Sequence, residues 1–217
     1  MFKHVLDIYN RNLVRIFALM MLVIFPVTSL IFLPITYFAE ELSVFFLVYS
    51  IIANFIICLP PFLLLTLKDL EDDKASIKEV LTFFVVQFGP LVFITFLLYT
   101  IAYYTSWMLL IPTFIIMLVL LILPFYSDLP SLKEMFIKTK EKIIEENIAI
   151  IVDLIIITSL LLLIWSFMMY FIQSYDNNII SFMLIRATLN MIIFPFIYIY
   201  LTVRYRKNKE ELRMIQV

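Results

Sequence analysis

The 217-residue chain contains one glycine, one cysteine and one histidine, and each scarcity removes a class of function. With Gly89 alone, a GxxxG helix-packing motif cannot occur. Neither can a glycine-rich phosphate loop, so the chain carries no ATPase of its own. The same scarcity argues against a pore or sliding carrier, which relies on glycine hinges. Cys58 alone permits no disulfide and no cysteine metal cluster within one chain. His4 alone leaves almost no material for histidine metal sites or histidine catalysis. Charge is scarce too, at 15% of residues. No cofactor, metal or nucleic-acid partner is expected.

What the chain does contain is apolar: 64% of residues are hydrophobic. A soluble domain of this length cannot hide so much apolar surface, so its solvent is lipid. Runs of about 20 apolar residues recur, the length that crosses a bilayer core. Six spans are predicted, at 13–38, 42–67, 80–104, 107–126, 148–173 and 179–203. The first stretch is too long for the apolar region of a signal peptide and has no small-residue cleavage site. The links "AEELS", "YYTSW" and "SYDNN" are short and carry no Lys or Arg. The links "KDLEDDKASIKE" and "SDLPSLKEMFIKTKEKIIEEN" are longer and charged. Basic residues collect on that second side: Lys3, Arg11 and Arg15, then Lys68, Lys74 and Lys78, then Lys133 to Lys142, then Arg204 to Arg213. By the positive-inside rule both termini are cytoplasmic.

The expected fold is all-α: six transmembrane helices as three pseudo-repeated hairpins, with short cytoplasmic amphipathic helices. The whole chain forms one membrane domain, with units at about 1–67, 70–128 and 129–205 and a tail at 206–217. "FKHVL", "IKEVL" and "LKEMF" precede the three odd-numbered spans. Ser76 and Ser131 stand three residues ahead of Glu79 and Glu134, the spacing of a capping box. A Pro-Phe pair, Pro61-Phe62, Pro124-Phe125 and Pro195-Phe196, marks the exit of each even-numbered span, where proline bends a helix. Gly89-Pro90 is expected to break the third span.

In the third amphipathic helix Leu132, Phe136 and Ile143 share one face with Thr139 between them. Such a helix can lie at the headgroup boundary, with Lys133, Lys138, Lys140 and Lys142 as candidate contacts for anionic lipid. Within the spans, an ionisable group is a functional candidate by default. Asp153 lies about two turns in from the cytoplasmic end and Arg186 about two turns in from the outer end. Their levels differ by roughly 10 Å or more, so they do not pair directly. Asp153 can reach Lys142, another inner-rim lysine, Asn12 or Gln87. Asn54, Gln87 and Asn190 are further candidates, although uncharged polar groups more often join helices by hydrogen bonds than bind substrate.

No catalytic constellation is visible. Glu145-Glu146 begins a Glu-Glu-x-x-x-Arg pattern, but position 150 is Ile. The acids Glu71, Asp72 and Asp73 read as a solvated loop. "IYNRNLVRIFALMMLVIFPV" and the helix "SLKEMFIKTKEKIIEENIAII" resemble segments of the bacterial membrane domain found ahead of some glycerophosphodiester phosphodiesterases, and of related YciC-type multi-span proteins. That resemblance covers most of the chain as layout and about 40 residues as sequence. It implies a membrane accessory module in the bacterial cytoplasmic membrane and carries over no catalytic site. The expected function is a non-enzymatic accessory or scaffold protein that binds lipid or another membrane protein. The alternative is a small permease subunit, for export of or immunity to a membrane-active compound, working with an ABC-type ATPase.

Overall fold

A computed structural model describes residues 1–38, 44–107, 110–146, 148–153, 155–156, 159, 163, 170 and 179–206. Among them the regular elements are all helical. The amphipathic α1 (Phe2–Arg11) turns Val5 and Ile8 inward and ends at Asn12. α2 (Leu13–Leu19) runs through a π-helical turn (Met20–Ile24) into α3 (Phe25–Phe38). Pro26 explains the wide turn: it removes a donor and crowds the carbonyl four residues back, at Leu22, which lies in the π turn. α4 (Val44–Ile57) and α5 (Leu59–Leu70) meet at Cys58, just ahead of Pro60 and Pro61. α6 (Ile77–Ser106) follows, then α7 (Leu110–Ile122) closing in a 3-10 turn (Leu123–Tyr126), then α8 (Leu132–Glu146) and finally α9 (Ile179–Arg206).

Among the described residues four segments are long and apolar enough to cross a membrane: Leu13–Leu33, Val48–Leu70, Ile77–Ser106 and Met183–Arg206. They match the first, second, third and sixth expected spans. The fourth corresponds to the shorter apolar stretch Leu110–Tyr126. Most of the fifth lies outside the described residues, as do the links at 39–43 and 174–178, Asn147, Gln173 and the tail from 207 onward.

The second span forms the centre. In its most apolar window 67% of residues are buried, against 22% for α6, so α6 presents most of its surface to lipid. α9 packs on α1, α3 and α5, while α6 packs on α4, α5 and α7. Pro60 and Pro61 lack the N–H groups that would reach the Ile56 and Ile57 carbonyls, and α4 ends there. One residue earlier the Tyr198 hydroxyl donates to the Phe55 carbonyl at 2.6 Å and ties α9 to the end of α4. Tyr198 is fully buried among Phe55, Phe62 and Phe194, with ring centroids 5.0 to 5.5 Å away.

Two expectations need correction. Gly89-Pro90 does not break the third span, because α6 is continuous through it. Both residues face outward, and nothing approaches a Cβ built on Gly89 within 4 Å. Pro90 withholds a single donor, and the hydrogen bonds of the flanking turns carry the helix across. The Pro-Phe pairs also do not all mark an exit. Pro124 does, in the 3-10 turn. Pro61 opens α5, and Pro195 sits inside α9. Their phenylalanines instead share contact with aromatic rings: Phe62 with Tyr198, Phe125 with Tyr205, and Phe196 with Phe2.

Candidate functional site

Ion pairs gather at one end of the bundle, where α1, the ends of α5 and α9, the start of α6, and α8 meet. The Asp69 carboxylate at the end of α5 accepts from Arg11 at 2.5 Å and from the Asn12 amide at 2.7 Å. Lys68 bridges Asp73 at 3.1 Å and Glu79 at 2.6 Å. The start of α6 is fixed by Ser76, whose hydroxyl accepts from the Glu79 N–H at 3.2 Å. Ser131 does the same for the Glu134 N–H at 3.3 Å, starting α8. Both serines thus cap as their spacing predicts, while the Glu79 side chain turns to Lys68 rather than back to the cap.

The most enclosed cluster is built on α8. Its inward face carries Met135, Thr139, Lys142 and Glu146, three or four residues apart and so stacked along one side. Glu146 is 1% exposed and lies between two cations. Lys142 reaches it at 2.9 Å, one helical turn back. Arg204 forks onto both of its oxygens, with Nη1 to Oε1 at 3.0 Å and Nη2 on Oε2. The remaining donor, Arg204 Nε, meets Asp153 Oδ2 at 3.0 Å. Two cations balance two carboxylates, so the cluster is formally neutral. It ties α8, the helical residues 148–153 and the end of α9 into one unit. Burial pushes the Glu146 carboxyl up, but the bonds and charges of Lys142 and Arg204 outweigh it and hold the group below its ordinary value. Beside this clamp Arg206 binds Asp128 at 2.6 Å, and the Tyr126 hydroxyl donates to the Tyr205 carbonyl at 3.4 Å.

Asp153 therefore meets an arginine, not an inner-rim lysine, Asn12 or Gln87. Asn12 is itself buried and is held by Asp69, Arg15 and the Ile8 carbonyl. Arg186 lies far from Asp153. It precedes Arg204 by 18 residues on α9, about 27 Å along the axis, with its guanidinium over the Phe32 ring at 3.7 Å. Asn54 is buried and joins the first two spans, accepting from the Thr28 hydroxyl at 3.2 Å and from Cys58 Sγ at 3.8 Å. Gln87 and Asn190 are half-buried on α6 and α9. These candidates are spread along the bundle rather than gathered in one place.

The four lysines also separate. Lys133, Lys138 and Lys140 are exposed, while Lys142 is buried against Glu146. Leu132, Phe136, Ile137 and Ile144 stand exposed on α8, around Lys133 and Lys140. Between α7 and the helical residues Ile151, Ile155 and Ser159 lies a cavity of about 340 Å³, lined on the α7 side by Phe114, Met117, Leu118 and Leu121. Arg204 and Glu146 were not singled out as candidates. The signal that could have found them is Glu146 and Asp153 standing seven residues apart, two turns along one face, opposite the basic last turn of α9.

No protein-family model, curated protein or solved structure matches the chain.

Proposed function

We propose that the chain is a non-enzymatic accessory or scaffold protein of the bacterial cytoplasmic membrane, with six spans in three hairpins and both termini cytoplasmic. It binds membrane lipid or a membrane-protein partner. The observation that carries this reading is how the polar groups in and beside the spans are used. Asp153 is paired with Arg204, and Asn54 with Thr28, so each bonds helix to helix. A permease needs such groups on a common path, whereas a scaffold needs them satisfied locally. The cavity between the fourth and fifth spans is apolar, which suits an acyl chain better than a polar solute. The exposed apolar residues of α8 around Lys133 and Lys140 suit the headgroup boundary, where lysine meets anionic lipid. This is the accessory role that the resemblance of the entry segment implies.

The test is purification from the native host in mild detergent, with mass spectrometry of co-purifying protein and lipid. Enriched anionic phospholipid, or a stoichiometric membrane-protein partner without nucleotide-binding motifs, supports the accessory role. A stoichiometric ATPase would instead make this chain a permease subunit.

A further inference from the structure

The junction of the Leu123–Tyr126 turn, α8 and the last turns of α9 concentrates buried hydroxyls. Ser127, Thr139 and Thr202 are fully buried and Tyr205 is 2% exposed. Among the described residues, none of these four hydroxyls has a hydrogen-bond partner within the protein, nor have Asp128 Oδ1 and Glu146 Oε2, the latter meeting Arg204 as an ion pair only. Outside this region, Ser29 and Thr100 alone share that condition among the described residues. The elements that carry the cluster are packed together. The Phe125 and Tyr205 rings stand 5.3 Å apart, edge to face, and Arg206 holds Asp128. Thr139 lies on the same α8 face as Lys142 and Glu146.

Thr202 shows that this is not a habit of helical threonines. Thr66, Thr82 and Thr188 each donate to the carbonyl four residues back, at 2.7 to 2.9 Å. Thr66 stands two residues ahead of Lys68, as Thr202 stands two ahead of Arg204. Thr202 does not make that bond, and neither do Thr139 in the same junction and Thr100 in α6.

We propose that this junction is a hydration site, holding a small cluster of bound water between the 3-10 turn, α8 and α9. The chemistry selects the ligand. Lys142, Arg204 and Arg206 are balanced by Glu146, Asp153 and Asp128, and each cation is already bonded to a carboxylate. An anion would meet the free oxygen of Asp128, and a cation would meet three fixed positive charges. Satisfying hydroxyls and a carboxylate oxygen together needs a neutral ligand that both donates and accepts. Buried water with two to four polar partners does so.

Two measurements on the full-length protein in micelles test the proposal. The first is the unfolding equilibrium of Tyr205→Phe, Thr202→Val and Thr139→Val. If water bridges the hydroxyls, each variant raises the unfolding constant about fivefold. If the site is dry, removing an unpaired hydroxyl leaves stability unchanged or raises it, which overturns the proposal. The second is pulsed hydroxyl-radical footprinting of the unaltered protein. Tyr198 is the control, since it is as deeply buried and its hydroxyl is bonded to Phe55. Tyr205 is expected to label several-fold more than Tyr198. Equal labelling overturns the proposal even where the variants are destabilised.

Discussion

Arg204→Met removes the fork that holds Glu146 and Asp153 while keeping most of the side-chain volume. Glu146 is 1% exposed, Arg204 17% and Asp153 18%. Breaking such a pair by deleting one partner costs about 3–5 kcal/mol, because a buried charge is left uncompensated. Lys142 still faces Glu146 at 2.9 Å, which places the loss at the lower end, about 3 kcal/mol. Arg11→Met supplies the contrast. Arg11 is 55% exposed in its pair with Asp69, and solvent-screened pairs contribute about 0–1 kcal/mol. The triple variant Arg204→Met, Glu146→Gln, Asp153→Asn removes the stranded carboxylates and is expected to recover more than half of the loss. The assay is reversible unfolding in mixed micelles, followed by helical circular dichroism. An Arg204→Met loss no larger than that of Arg11→Met would refute the reasoning. So would a triple variant weaker than the single one.

The same clamp sets an acid limit. Glu146 is held below its ordinary value of 4.5, so its contribution is fully present above that value and is lost as pH falls through the lower folded value. Unfolding titrations of the unaltered chain should therefore steepen below pH 4.5, and Glu146→Gln should flatten that part of the profile. Asn54→Leu takes the acceptor from the fully buried Thr28 hydroxyl and should cost about 1–2 kcal/mol in the same assay. Adding Thr28→Val to it should then cost little more. Gly89→Ala adds a Cβ with nothing within 4 Å in mid-helix, and should stabilise by about 0.5–1 kcal/mol. A loss there would mean that the glycine serves as a hinge. Lys133→Gln with Lys140→Gln should lower the preference of the protein for anionic over zwitterionic lipid by about 1 kcal/mol per lysine. Lipid competition on the purified protein in mixed micelles would measure it, with Lys142→Gln changing the preference less because that ammonium is already bonded to Glu146.

Several features were legible because they are local. Serine three residues ahead of glutamate places a side-chain acceptor beside a free N–H, and both Ser76 and Ser131 act so. Where a local rule met a larger context it failed. Proline at position 90 follows glycine in a run that otherwise favours helix, and α6 continues through both. On α8 Leu132 and Phe136 stand exposed while Ile143 packs partly against the core. The buried side is Met135, Thr139, Lys142 and Glu146, a largely polar stripe that apolar periodicity does not reveal.

Composition and periodicity by themselves determined that the chain is helical and apolar enough to cross a membrane. A backbone in lipid must bond to itself, and 64% hydrophobic residues leave lipid as the solvent. The tertiary structure alone decided which polar groups meet. Asp153 is 51 residues from Arg204 and Glu146 is 58 from it, and whether they touch depends on how far each helix is rotated and displaced along its axis. No local pattern encodes those two quantities. They follow from the packing of α8 and α9 at one end of the bundle, which also brings Thr202 and Tyr205 to the same junction as Thr139.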